Sequence, residues 1–153
     1  MPEAGSKAEF VVGVDLGGTK ILAGIFASSL ECIGTAKVST KSQRGVEAVV
    51  ERIDRCVRDA VDEADLAMKQ IAGVGIGAPG AVDFDSGTVI FAPNLDGWKD
   101  VPLKKDLEKH LGVPVFVEND ANIAGFLNIL EMARKFNTEE FVRRTPSPRS
   151  PVR

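Results

Sequence analysis

A short polar segment between two apolar runs carries the residue types of a phosphate and metal site. It reads DLGGTK, from Asp15 to Lys20. Gly17 and Gly18 let phosphate oxygens approach backbone N–H groups, since neither residue has a side chain in the way. Thr19 and Lys20 add donors, and Asp15 can hold a hydrated magnesium ion. A glycine hairpin beside an ordinary acidic residue explains the same letters, so the segment alone leaves both interpretations open.

Composition places the chain among globular proteins. Its 153 residues, 44% hydrophobic and 27% charged, correspond to roughly one domain with a real core. No apolar run approaches the about 18 residues of a membrane span, and residues 1–9 lack the apolar centre of a signal peptide. Two cysteines, Cys32 and Cys56, indicate free thiols in a reducing compartment. We therefore expect a cytoplasmic protein that does not bind membranes.

The net charge of −3 is unevenly distributed. The last eleven residues hold four arginines and no acid, so the preceding 142 residues have a net charge of −7. An acidic globular part argues against nucleic acid as a partner. We expect a flexible N-terminus at 1–9, and a disordered basic tail at 137–153 that either contacts an anionic surface or has no role.

The elements that must position these residues follow the order βββαβαβα. The hydrophobic periods predict three strands to about residue 40, a helix at 45–67, a strand at 71–78, a short strand at 88–91, a helix at 102–111, a strand at 113–117 and a helix reaching 136. In this prediction Pro102 opens the second helix and Gly112 ends it. Three antiparallel strands joined to helix-crossed parallel strands form an α/β mixed sheet of the ribonuclease-H-like type.

Four short motifs carry a more specific resemblance. They are DLGGTK at 15–20, GAPG at 77–80, APNL at 92–95 with Trp98, and ENDAN at 118–122. Their order and spacing resemble the ROK family of bacterial glucokinases, related hexose and amino-sugar kinases, and sugar-responsive repressors. The resemblance runs from about Phe10 to Phe126, and we assign a lobe at 10–136 to it. It implies the actin-like ATPase fold and phosphorylation of a hexose or amino sugar by ATP with Mg²⁺.

The resemblance also implies roles for single residues. Asp120 would be the catalytic base that takes the proton from the attacking sugar hydroxyl, a role that suits a well-placed carboxylate. Asp15 would hold magnesium through water. The sugar-binding residues would be Gly80, Asn94, Asn119 and Asp120, and the phosphate- and ATP-binding residues would be Gly17, Gly18, Thr19 and Lys20.

Each of these residues has a simpler explanation that the sequence leaves open. Asn119 or Asp120 could cap a following helix, and Asn94 and Gly80 could be ordinary turn residues. Lys20 could be a solvated edge lysine. We expect Trp98 to be a half-buried packing residue, and Glu118 to be either a second pocket carboxylate or a surface acid at a strand end.

The family resemblance further implies parts that these 153 residues do not supply. They are a second lobe with its glycine-rich phosphate loop, an adenosine pocket, a sugar-binding glutamate and a cysteine-rich zinc site; no glycine occurs after Gly125. We therefore expect impaired or absent activity in this chain alone. An uncovered cleft would expose apolar surface and favour a homo-oligomer.

Two other functions stay open from the sequence. One is a non-enzymatic sugar-binding or regulatory module of the same family. The other is a ribonuclease-H-like nuclease that uses Asp15, Glu47 or Glu51, and an acid at the end of the fourth strand. That strand ends in GAPG, without a carboxylate. The sequence does not identify the sugar.

Overall fold

Eight strands and two helices make up the regular structure of residues 9–120, the part of the chain that the computed structural model describes. In chain order they are β1 (Phe10–Leu16), β2 (Lys20–Phe26), β3 (Cys32–Ser39), α1 (Val46–Glu63), β4 (Ile71–Ala78), β5 (Ala81–Asp83), β6 (Thr88–Phe91), β7 (Lys99–Val101), α2 (Leu103–Leu111) and β8 (Val115–Asn119). The predicted third helix, the rest of the ENDAN motif and the basic tail lie outside these residues.

A five-stranded mixed sheet organises the fold. Its strand order is β3-β2-β1-β4-β8, with β1, β2 and β3 antiparallel and with β4 parallel to both β1 and β8. This is the predicted combination of an antiparallel hairpin unit with helix-crossed parallel strands, so the expected fold class is confirmed. The interior strand β4, between β1 and β8, is buried along its whole length.

Helix α1 covers one face of this sheet because its apolar residues recur every three or four positions. Val49, Ile53 and Val57 are fully buried, and each contributes roughly 1.5–3 kcal/mol by leaving water. The helix ends at Glu63, four residues before the predicted end. The reason is local: the backbone turns at Asp65, whose φ of 59° is left-handed.

The structure adds two strands that the hydrophobic pattern does not predict. A second sheet has the order β5-β6-β7, and only β6 was expected. Strands β5 and β7 have three residues each, too few to show an alternating pattern. The predicted order βββαβαβα is therefore incomplete between β4 and α2.

Two boundaries on either side of α2 also differ from the prediction. Pro102 precedes the helix as its N-cap, and its carbonyl accepts the first helical hydrogen bond from Asp106 at 3.0 Å. Gly112 ends the helix as expected, with φ 73°. The last strand begins at Val115 instead of 113, because Pro114 has no N–H to contribute to a ladder. The strand ends at Asn119 instead of 117, because its pairing with β4 continues to Ala78 and Asn119.

Both thiols are free, as the sequence indicates. Cys32 is exposed, whereas Cys56 lies in the core and its Sγ donates to the carbonyls of Ile21 and Ala36, each at 3.6 Å. Burial first, and the nearby Asp59 carboxylate second, raise the pKa of Cys56 from 9.0 to about 11.

No helix among residues 9–120 is long and apolar enough to cross a membrane.

Candidate functional site

The carboxyl ends of three parallel strands meet at one edge of the five-stranded sheet. Asp15 on β1 is paired with Gly77 on β4, and Gly77 is paired with Glu118 on β8. Three of the four sequence motifs therefore begin side by side, within about 10 Å if neighbouring strands are ~4.8 Å apart. This edge is where open α/β sheets bind ligands.

Asp120 lies directly beside the second of these motifs. Its backbone N–H donates to the carbonyl of Ala78 at 2.8 Å, which continues the pairing one residue past β8. A methyl group on Gly77 would lie 3.6 Å from both the Cα and the Cβ of Asp120. The Asp120 side chain is exposed, so a reactant at the sheet edge can reach this carboxylate.

Asn119 and Gly80 are in direct contact, as expected for residues that line one pocket. The Nδ2 of Asn119 donates to the carbonyl oxygen of Gly80. Gly80 has a φ of 84°, and a Cβ there would lie 2.0 Å from the carbonyl oxygen of Phe91. This position therefore requires glycine, because any side chain would collide with the end of β6.

Asn94 joins the site from the loop between β6 and β7. A Cβ on Gly18 would lie 3.3 Å from the Nδ2 of Asn94, so this loop packs against the DLGGTK turn. The loop is closed by backbone bonds from Leu95 to Ala92 at 3.0 Å and from Ala92 to Trp98 at 3.1 Å. The sugar-binding and phosphate-binding sets of the sequence prediction thus meet at Asn94 and Gly18.

Trp98 is the last residue of the same loop and packs into the core. Its side chain is 1% exposed, so the expectation of a half-buried residue is wrong. Among the residues that the structure describes, its indole Nε1–H is buried without an acceptor. A lost hydrogen bond of this kind costs about 1–3 kcal/mol, which the burial of the large ring offsets.

The DLGGTK segment forms the tight turn between β1 and β2. The N–H of Gly17 donates to the carbonyl of Lys20 at 3.0 Å, and the side chains of Asp15, Thr19 and Lys20 are exposed. This is a hairpin turn, and it lies beside the sheet edge that holds Asp120. The hairpin geometry is therefore compatible with both interpretations of this segment.

Glu118 is a buried carboxylate near the end of β8. It is 8% exposed, and its Oε1 accepts a hydrogen bond from the N–H of Asn119 at 2.8 Å. The interpretation as a strand-end surface acid is wrong.

Within the described range 9–120, no three His, Cys, Asp or Glu side chains form a group that could hold a metal.

Sequence reasoning missed one residue of this region. Thr40 follows β3 and is fully buried, and its hydroxyl donates to the carbonyl of Gly17 at 2.8 Å. Threonine is common in and beside strands, so its residue type alone does not indicate a role at this position. Its importance depends on a contact across 23 positions, which only the folded chain provides.

Comparison with known proteins identifies the family. The sequence profile of the ROK family matches residues 11–137. A glucokinase of Streptomyces coelicolor is 44% identical over 115 residues, which are 75% of this chain and 34% of that protein. A putative xylose repressor of Caldicellulosiruptor sp. is 36% identical over 120 residues, 78% of this chain and 30% of that one.

A solved structure agrees with these sequence matches. The ROK family glucokinase of Streptomyces griseus, in complex with glucose and AMPPNP, is 43% identical, with a TM-score of 0.65 over 75% of this chain and 34% of that one. The chain thus spans about a third of the length of these relatives. The family match reaches residue 137, beyond the expected end at Phe126. The prediction ended too early because it rests on short motifs, and residues 127–137 contain none of them. The chain belongs to the ROK family and has the mixed-sheet fold of its sugar kinases.

Proposed function

We propose that this chain binds a hexose and the phosphoryl end of ATP in a kinase that phosphorylates a sugar hydroxyl. The observation that carries the proposal is the meeting of four motifs at one sheet edge, where Asp15, Asp120 and Asn94 lie around the turn at Gly18. The glucokinase relatives support the reaction type, and the relative in complex with AMPPNP supports ATP as the phosphate donor.

In the proposed mechanism, Asp120 orients the attacking hydroxyl and accepts its proton as the oxygen bonds to the γ-phosphorus. The proton moves to a carboxylate oxygen, and the bond from phosphorus to the bridging oxygen of ADP breaks. Phosphoryl transfer depends on position and electrostatics more than on base strength, so an ordinary carboxylate suffices. The exposure of Asp120 beside Gly77 supports this role.

The other residues hold the reactants. Asn119 and Asn94 present amides to sugar hydroxyls, and the bond from Asn119 to the Gly80 carbonyl orients the first of these amides. Gly17, Gly18, Thr19 and Lys20 face the phosphoryl group. These are the roles implied by the family resemblance, and the contacts among the residues are consistent with them.

Asp15 is the residue that would hold magnesium. It is an exposed carboxylate at the end of β1 beside the phosphate turn. Mg²⁺ is commonly bound by one or two carboxylates together with water and substrate phosphates, so a single carboxylate here fits the ion. When bound, the ion would neutralise phosphate charge. We expect the reaction to take place in the cytoplasm.

Two measurements test the proposal. Calorimetry with glucose measures sugar binding by the purified chain, and a coupled assay with glucose, ATP and magnesium measures phosphoryl transfer by the chain supplied with the second lobe of a relative. Asp120→Asn should bind glucose but lower kcat by about 10²–10⁴-fold, because the base is lost. Asp62→Asn, an exposed change on α1, is the matched control and should behave as the unchanged chain. Equal turnover in Asp120→Asn and the unchanged chain would contradict the role of Asp120.

The level of turnover is a separate expectation. Residues 9–120 hold the proposed base and phosphate turn, whereas closure of a second lobe normally excludes water and aligns ATP. We therefore propose that the 153 residues alone are slow or inactive. Turnover near that of the Streptomyces coelicolor glucokinase would refute this expectation.

A second candidate function is a sugar-binding regulatory module without catalysis. The 36% identity to the putative xylose repressor supports it. In this case glucose or another sugar binds, and neither the unchanged chain nor Asp120→Asn transfers phosphate. Sugar binding without phosphoryl transfer, in a chain supplied with the second lobe of a relative, would favour this alternative.

A further inference from the structure

Thr40 is a buried polar residue that the proposed mechanism leaves without a role. It is fully buried and follows the last residue of β3. Its hydroxyl donates to the carbonyl oxygen of Gly17 at 2.8 Å, and its backbone N–H donates to the carbonyl oxygen of Thr19, also at 2.8 Å. One residue thus holds two carbonyl groups of the phosphate turn.

The first of these bonds determines where an adjacent amide points. The carbonyl of Gly17 and the N–H of Gly18 belong to one planar trans peptide, so they point in opposite directions. Because Thr40 is buried, the Gly17 carbonyl points inward. The N–H of Gly18 therefore points outward, on the open side of the turn.

Contacts on both sides keep this peptide in place. On the side of α1, the guanidinium of Arg52 donates to the backbone carbonyl of Ser39 and to its Oγ, the latter at 3.1 Å. This fixes the residue just before Thr40 to the helix. On the other side, Gly18 is packed against Asn94, and a Cβ on Gly18 would make a tight contact of 3.3 Å with the Nδ2 of Asn94.

We propose that Thr40 is a positioning residue for phosphoryl transfer, whose hydroxyl fixes the Gly17–Gly18 peptide so that the Gly18 N–H faces the transferred phosphate. This inference rests on the proposed function. Thr40 itself touches neither sugar nor phosphate. A preoriented amide stabilises developing charge without reorganisation during the reaction, so its direction affects turnover more than sugar binding.

The test compares three variants of the full chain. Thr40→Val keeps the shape and removes the hydroxyl, Thr40→Ser keeps the hydroxyl, and Thr35→Val makes the same change at an exposed position of β3. The ¹⁵N–¹H signal of the Gly18 amide is followed by NMR during titration with inorganic phosphate. Where turnover is measurable, kcat and the KM for glucose are determined as well.

The expected result is specific to the hydroxyl. Phosphate shifts the Gly18 signal in the unchanged chain, in Thr40→Ser and in Thr35→Val, whereas Thr40→Val binds phosphate about tenfold more weakly. Its kcat falls by a similar factor while the KM for glucose stays within about twofold. Equal phosphate binding at Gly18 in Thr40→Val and Thr40→Ser overturns the inference, as does a Gly18 signal that phosphate does not move.

The two proposals can fail separately. If the Gly18 signals behave as expected but no sugar is phosphorylated even with a relative's second lobe, the kinase proposal fails and the role of Thr40 in orienting the turn stands. If the chain transfers phosphate and Thr40→Val does so equally well, the role of Thr40 fails alone. Should Thr40→Val not fold, Thr40→Cys replaces it, since a thiol is a weak donor and phosphate binding should then rank serine above cysteine.

Discussion

Two sheets meet at the candidate site, and they are stabilised in different ways. The main sheet, β3-β2-β1-β4-β8, has strands of five to eight residues, and α1 covers one of its faces. The small sheet, β5-β6-β7, has strands of three or four residues. It holds the loop that presents Asn94. Stability is thus spread over many aliphatic side chains in the main sheet, and concentrated in a few contacts in the small one.

This difference indicates where the site is vulnerable. Loss of one aliphatic group in the main sheet leaves most of the core intact, whereas the small sheet depends on the Trp98 ring and on the close contact at Gly80. The two halves of the site touch where Gly18 meets Asn94. A change in the small sheet should therefore alter sugar binding before it unfolds the main sheet.

The largest expected effect comes from Trp98→Ala. Removing a fully buried ring should lower the free energy of unfolding by about 3–5 kcal/mol, through lost burial and the cavity left behind. Urea unfolding followed by circular dichroism measures this change, and calorimetry should show weaker glucose binding because the Asn94 loop loses its support. Trp98→Phe is the control, since it keeps an aromatic ring at this position and removes the rest of the indole together with its N–H.

We expect Trp98→Phe to cost clearly less than Trp98→Ala, because it leaves a smaller cavity and because the deleted N–H has no acceptor among residues 9–120. Equal destabilisation by phenylalanine and alanine would mean that the N–H has a bonding partner. Trp98 would then stabilise the small sheet through a hydrogen bond and not through packing.

The next effect in size is that of Gly80→Ala. The new Cβ would lie 2.0 Å from the Phe91 carbonyl in a left-handed backbone, so the loop must shift, at a cost of about 3 kcal/mol. Gly97→Ala is a matched control, with φ 77° and no atom within 4 Å of its Cβ. It should cost about 1 kcal/mol, from the backbone alone. Similar losses in both variants would show that Gly80 is an ordinary turn residue.

The main sheet supplies a smaller effect that depends on pH. The pKa of Cys56 is about 11 in the folded chain and 9.0 in the unfolded chain, so the thiol ionises at a lower pH when the chain is unfolded. The free energy of unfolding should be unaffected by this thiol below pH 9 and should fall between pH 9 and pH 11, by on the order of 2 kcal/mol. Urea unfolding at several pH values checks this result.

Cys56→Ala should flatten that pH dependence, while Cys32→Ala, at an exposed site, should leave it unchanged. An identical slope in the unchanged chain and Cys56→Ala would contradict the assignment to this thiol. The comparison between variants removes the contribution of all other groups, which are the same in each of them.

The smallest expected effect tests how evenly the main sheet is stabilised. Ile53→Val removes one methylene from the fully buried face of α1 and should cost about 1 kcal/mol. Glucose binding, measured by calorimetry, should not change. A loss as large as that of Trp98→Ala would show that the main sheet also depends on single side chains.

The sequence predicts the elements with a long period and misses the short ones. Helix α1 was expected from apolar residues such as Val49 and Ile53, which repeat at three and four. The small strands β5 and β7 were missed because three residues show no period. The burial of Trp98 and Glu118 was also not predicted, since burial depends on what packs over a residue and not on its neighbours in the chain.

The sequence by itself determined the residue types of the site: a carboxylate after a strand, a glycine turn, and an Asn-Asp pair after another strand. The tertiary structure decided which of them meet. Asn119 reaches Gly80 across 39 positions, and Thr40 reaches Gly17 across 23. Local periodicity extends over one element only, whereas these contacts follow from strand order and register. The turn proposed to bind phosphate is therefore visible in the sequence, but the residue proposed to orient it is visible only in the fold.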